Sequence, residues 1–183
     1  MNLKDKAKIS EDPFILNVPS VHDHNLSWHA KWKIRKWDSQ DKFDKNELPD
    51  NIVDFEPNGL LNEGINELFT VLCSSGGTKF DNSNANLGVG DSSTAFVATQ
   101  TGLQASTNKL YKAMDATFPT YGTSQQAIWQ STFQSADANF AWNEFTVSNT
   151  NSDTGKNLNR LVSSQGTKIS GQVWQLTLTI TLS

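Results

Sequence analysis

The stretch VWQLTLTITL, Val173–Leu182, alternates without a break. Trp174, Leu176, Leu178, Ile180 and Leu182 fall on one side; Gln175, Thr177, Thr179 and Thr181 fall on the other. A period of two sends successive side chains to opposite faces, so this segment predicts a half-buried strand and is incompatible with an amphipathic helix. A strand of that kind needs strand neighbours and a second apolar layer, which points the whole chain towards packed β-sheets.

A second alternating run lies near the other end. In LSWHAKWKIRKWD, Trp28, Ala30, Trp32 and Ile34 alternate with His29, Lys31, Lys33 and Arg35. The prediction is a strand with one apolar and one basic face, and Trp37, which breaks the rhythm, is expected at a bulge or a turn. Further strands are predicted at Asn86–Val89, Lys109–Asp115, Ala127–Gln134, Phe140–Val147 and Asn157–Val162, separated by loops of Asn, Ser, Gly and Asp. Short strands at such spacing indicate a mainly β protein, an antiparallel β-sandwich or jelly-roll-like body.

One helix is expected, over residues 61–75. Leu61, Ile65, Leu68 and Leu72 form a single apolar stripe, Asn62 is placed to cap the start, and Gly76 and Gly77 stop it. Gly64 inside the helix costs about 1 kcal/mol relative to alanine, so a close packing contact is expected there. Cys73 and Met114 fit core positions.

Charge divides the chain. Residues 1–57 hold nine of the 15 Lys and Arg and 11 of the 19 Asp and Glu. A boundary is therefore placed at Glu56–Gly59, where Pro57 and the pair Asn58-Gly59 signal a turn. Residues 1–25, with Pro13 and Pro19 and no periodicity, read as an extended arm whose apolar cluster Phe14, Ile15, Leu16 and Val18 is its anchor. Residues 26–183 read as the β body: a strand plus charged loop (26–57), the helix, and the main β region (85–183).

The net charge of −4 argues against a protein that coats nucleic acid. One cysteine permits neither an intrachain disulfide nor a four-cysteine metal site. No stretch approaches the roughly 20 apolar residues of a membrane helix. No cofactor is expected.

Four features have a chemical reading beside a structural one. In ANLGVGDSST (Ala85–Thr94), the glycines suit a phosphate loop, but no lysine or amphipathic helix follows. The structural reading is that Gly88 admits another backbone or ring and that Gly90-Asp91 begins a turn. His22 and His24, two apart in an extended segment, are weak candidates to share a metal, with an incomplete ligand set. Glu144, next to Trp142, suits a glycosidase carboxylate if a second acid faces it, with Asp91, Asp115, Asp137 and Asp153 as the partners on offer. The basic strand mixes cations with tryptophans as single-stranded nucleic-acid binders do, but alternation separates them onto opposite faces. Lys31, Lys33 and Arg35 are instead expected to meet an acidic protein surface or the chain's own acidic loop, Asp38–Glu47.

Several stretches together resemble a known family. NGLLNEGINELFTVLCSSGG, ANLGVGDSST, TQTGLQ, NKLYKAMDATFPTYG, ANFAWNEFTVSN and NLNRLVSSQGTK are similar to a family of small virion structural proteins of tailed bacteriophages, over residues 58–183. The resemblance implies a non-enzymatic capsid decoration (cement) protein on the outer surface of the phage head, assembled in the host cytoplasm. It implies the major capsid protein and neighbouring copies as partners, and a homo-oligomer within the virion. Phe14, Ile15, Leu16, Val18, Lys31, Lys33 and Arg35 are the expected partner-binding residues. The alternative is a tail, neck or baseplate component that recognises a host surface, through loops near Tyr121 and Asn149–Asn151.

Overall fold

A computed structural model describes residues 27–56 and 59–183. The expected arm, its anchor Phe14, Ile15, Leu16 and Val18, the histidines His22 and His24, and Pro57 and Asn58 lie outside the described residues. The rest is mainly β, as the alternation predicts. Strands β1 (Trp28–Trp37), β2 (Asn51–Phe55), β6 (Thr120–Thr123), β7 (Gln126–Phe133) and β10 (Val173–Leu182) form one antiparallel sheet, in the order β2-β1-β10-β7-β6. The second sheet runs β3-β9-β8-β4-β5, from β3 (Gly59–Leu60), β9 (Asn159–Val162), β8 (Glu144–Ser148), β4 (Asn86–Gly90) and β5 (Lys109–Ala113).

The two alternating runs that define the sequence pair with each other. β1 and β10 are in unbroken register from Trp28↔Leu182 to Trp37↔Val173. Trp32 and Ile34 therefore share a face with Leu176 and Leu178, and all four are fully buried. Trp129 and Phe133 of β7 extend that layer, and Leu87, Val89, Phe145, Val147 and Leu161 face it from the second sheet. Aromatic rings join the layers: Trp142 lies 4.7 Å from Phe133, 4.8 Å from Trp174 and 6.2 Å from Phe145, at steep interplanar angles. Edge-to-face contacts of this kind add to the area that the rings bury.

Four local expectations are corrected. The charged segment after β1 is not all loop: it carries a short helix, α1 (Gln40–Asp44), capped by the Ser39 hydroxyl, which accepts from Lys42 N–H, and it leads into β2. Trp37 makes no bulge. It stays in β1, facing away from the core, where Phe43 of α1 meets it edge-on at 5.1 Å and Glu47 O accepts its indole N–H. The second helix, α2 (Asn62–Cys73), starts after Leu61 with no side-chain cap, so Asn62 does not cap it. Cys73 is exposed rather than in the core.

The roll of α2 is the largest departure. Only the first part of its apolar stripe faces the protein: Leu61 is fully buried and Ile65 half-buried, while Leu68 and Leu72, with Phe69 beside them, are 39%, 78% and 60% exposed. The face turned inward is Glu63, Gly64 and Glu67. Gly64 sits against the backbone of Asn157 and Leu158, the close contact that its presence in a helix predicts. Glu63 accepts from the backbone N–H of Asn157 and of Gly102, and Glu67 accepts from Thr78 N–H and Asn149 Nδ2. Directional bonds to buried backbone donors outweigh the burial of two or three leucine-sized side chains, because an unmet buried donor costs about 1–3 kcal/mol each.

Candidate interaction surfaces

The motif residues converge on one buried cluster. Gly90 pairs with Glu144 across β4 and β8. The Glu144 carboxylate accepts from Ala105 N–H at 2.7 Å, Gln104 N–H at 2.9 Å and Arg160 Nε at 2.8 Å. Arg160 Nη2 stands 2.7 Å from the same carboxylate and also donates to Thr94 O, while Nη1 donates to Gln100 Oε1. Glu144 and Arg160 are both fully buried. An ion pair out of water holds only when its remaining donors and acceptors are met, and here they are. The pair pins the long connection from Asp91 to Asn108 onto the outer face of the second sheet.

This geometry decides two of the chemical readings. Both Glu144 oxygens are occupied and closed to solvent, so this carboxylate has no place for a substrate proton. The candidate partner acids are engaged elsewhere: Asp91 with Asn108, Asp115 with Thr132, Asp137 with Lys112, and Asp153 with Tyr111 and Lys109. For the glycine stretch, Gly88 lies under the Tyr111 ring and the Thr146 methyl, where an added Cβ would stand 2.8 Å from both. Gly90 is pressed against Glu144. The glycines admit a ring and a carboxylate, and a carboxylate beside the loop repels phosphate. After Gly90 the chain continues as irregular loop, with no turn assigned at the expected position.

The outer face of β1 carries the predicted cations. Lys31 and Lys33 reach Asp54 of β2 at 3.9 and 3.6 Å, and Arg35 donates to Gln175 Oε1 at 3.2 Å. The three flank Thr177 and Thr179 in a shallow depression of about 370 Å³. Trp32 lies on the opposite, buried face, so cations and rings do not form one stacking platform. The acidic segment Asp38–Glu47 is not their partner. Its Asp41 pairs with Lys45, while its Lys42 pairs with Asp50. Glu56 stands beside Lys31 on this face, and Asp115 accepts from Gln175, the partner of Arg35, so the three cations share the face with three carboxylates, Asp54, Glu56 and Asp115.

Tyr121 lies in β6 rather than in a loop and is 74% exposed. Asn149 is buried: it donates to Thr78 O and Glu67 and accepts from Lys156 N–H. His29 is exposed on β1. Among the described residues no three His, Cys, Asp or Glu side chains come together as a metal site, and no helix is long and apolar enough to cross a membrane.

Sequence reasoning missed an apolar groove of about 650 Å³ at one end of the sandwich. Trp28, Leu68, Phe80, Trp129, Ile180 and Leu182 line it, and the β6–β7 turn forms its rim. The signal for it was present in part. Phe69 beside the Leu68–Leu72 stripe makes α2 apolar over a wider arc than one packing contact needs.

The fold and its surfaces define a two-sheet antiparallel β protein with a buried polar cluster, one charged outer face on β1 and one open apolar groove. Comparison of the chain with protein-family models, with curated proteins and with solved structures gives no match.

Proposed function

We propose that the protein is a non-enzymatic structural component of a tailed-phage virion, a decoration protein that binds the outside of the head shell and stabilises it. The resemblance over residues 58–183 supplies the setting. The observation on this chain that carries the reading is the fate of its motif residues. Glu63, Gly90, Glu144 and Arg160 are all spent on internal contacts, so the motifs serve the fold, and what remains at the surface is suited to docking. Lys31, Lys33 and Arg35 on the outer face of β1 meet an acidic patch of the major capsid protein, and the N-terminal segment adds contacts along the shell. Neighbouring copies complete the layer.

Charge reversal tests this. The triple change K31E/K33E/R35E removes shell binding while far-UV circular dichroism stays unchanged, and rising salt weakens the wild-type interaction in the same direction. Undiminished decoration by the triple variant overturns it. The second reading, a tail, neck or baseplate component that touches a host surface, rests on the exposed Tyr121 of edge strand β6. Copy number separates the two. A protein as numerous as the capsid subunit belongs on the head lattice; a small fixed set belongs to the neck or tail.

A further inference from the structure

Lys168 is fully buried, yet among the described residues no carboxylate stands within ion-pair distance of its amine. Lysine is almost never enclosed without a charged partner, because an unpaired ammonium out of water is costly. Its Nζ meets two carbonyl oxygens instead, Gln134 O at 2.8 Å and Asn139 Oδ1 at 3.0 Å. A desolvated lysine is the form in which this side chain serves as a nucleophile. Burial pushes the amine down to about 8, against the attraction of Asp137, so a share of it is unprotonated at neutral pH.

The backbone holds the two side chains together. Lys168 N–H donates to Phe140 O, Trp142 N–H donates to Gly166 O, and Ala141 bridges Thr167, so residues 166–168 run antiparallel beside 140–142. With a C=O bond of about 1.23 Å, the carboxamide carbon of Asn139 lies no more than about 4.2 Å from Nζ. The terminal torsion of asparagine is broad, so a small rotation turns that carbon towards the amine. Asn139 Nδ2 donates to Ser135 O at 3.1 Å, and Asn139 is exposed, so a group leaving from its carboxamide has a way out to solvent.

We propose that Lys168 and Asn139 join in an intramolecular isopeptide bond. The Nζ lone pair attacks Cγ of Asn139, the Cγ–Nδ2 bond breaks, and the nitrogen leaves as ammonia. It takes up the proton that Nζ sheds, relayed by water at the exposed side of Asn139. Nothing is oxidised or reduced. Asp137, whose charge acts on this amine, stabilises the positive charge that Nζ bears as the bond forms. Holding amine and carboxamide in one fold replaces a bimolecular encounter, the effect that makes so slow an aminolysis feasible. The bond closes a ring from Asn139 to Lys168 that contains β8 and β9, and so ties the second sheet covalently. The inference goes beyond the virion reading and does not rest on it.

The test is the mass of the purified full-length chain, denatured after folding. The wild type is expected to be lighter than its sequence mass by one ammonia. Tryptic digestion is expected to yield a branched peptide in which Lys168 resists cleavage and is joined to the peptide carrying Asn139. K168R and N139A are each expected to keep the full sequence mass. N139A alters an exposed side chain, so its circular dichroism is expected to match the wild type. A folded wild-type chain of full sequence mass, with Lys168 and Asn139 in separate peptides, overturns the proposal. So does an ammonia deficit that persists in K168R or N139A, because the loss then lies elsewhere in the chain.

Discussion

Glu144 and Arg160 show how much one residue's surroundings decide. Glu144→Gln leaves the Arg160 guanidinium buried beside a neutral amide, and breaking a buried pair on one side costs about 3–5 kcal/mol. A midpoint loss of that size in urea is expected; an exposed catalytic acid would show almost none. Lys168 is the second buried charge, fully enclosed and donating to Gln134 O and Asn139 Oδ1. Burial lowers its pKa to about 8, against the attraction of Asp137. A lysine whose folded pKa lies below its unfolded value binds fewer protons in the native state between the two. Its burial therefore opposes folding at neutral pH, and stability rises with pH through that window. While the amine is free, the expected gain is about 1.5 kcal/mol from pH 8 to 9.5, and K168M removes most of the slope. Lys36, lowered by burial over the Trp174 ring, adds in the same direction. Tyr111, whose pKa is raised chiefly by burial, acts oppositely, but only above about pH 10, where the unfolded phenol ionises. At this scale the sequence showed which residue types were present and not their state. Glu144 and Arg160 are 16 positions apart, and nothing local marks them as partners.

Helix α2 is where element-level reasoning met its limit. The stripe Leu61, Ile65, Leu68, Leu72 correctly predicts a helix, because periodicity reports local conformation. It does not report which face meets the protein when polar side chains on another face have buried backbone donors to satisfy. Gly64→Ala separates the two views. Intrinsic propensity alone favours alanine by about 1 kcal/mol, yet here the new methyl meets the backbone of Asn157 and Leu158. A net loss of about 1–3 kcal/mol is expected in thermal unfolding. Conversely, Leu72→Lys, at a position 78% exposed, is expected to change stability by less than about 0.5 kcal/mol. An inward-facing stripe would make that change severe. Strands fared better: β4, β7, β9 and β10 fall within two residues of their predicted spans, because alternation and turn residues are both local. β2 was missed within charged surroundings, and β3 and β6 are too short to show a period.

At the scale of the whole molecule, β1 and β10 join the two ends of the described chain, and both sheets share one core. Unfolding is therefore expected as one cooperative transition, with tryptophan emission and far-UV circular dichroism coincident in urea. Two separate midpoints would mean that the segment before Glu56 behaves as its own unit. Sequence by itself determined the class of this protein: two long alternating runs, turn-rich spacing and a polar second half lead to packed antiparallel sheets. It also separated the cations of β1 from the tryptophans, since side-chain parity is set by the strand alone. Tertiary structure decided the rest. Which carboxylate meets the guanidinium, which way α2 rolls, and where the core stays open to form a groove depend on residues far apart in sequence competing for the same buried donors and the same space. Only the folded arrangement resolves that competition, because the energy of each buried polar group is fixed by its neighbours in space.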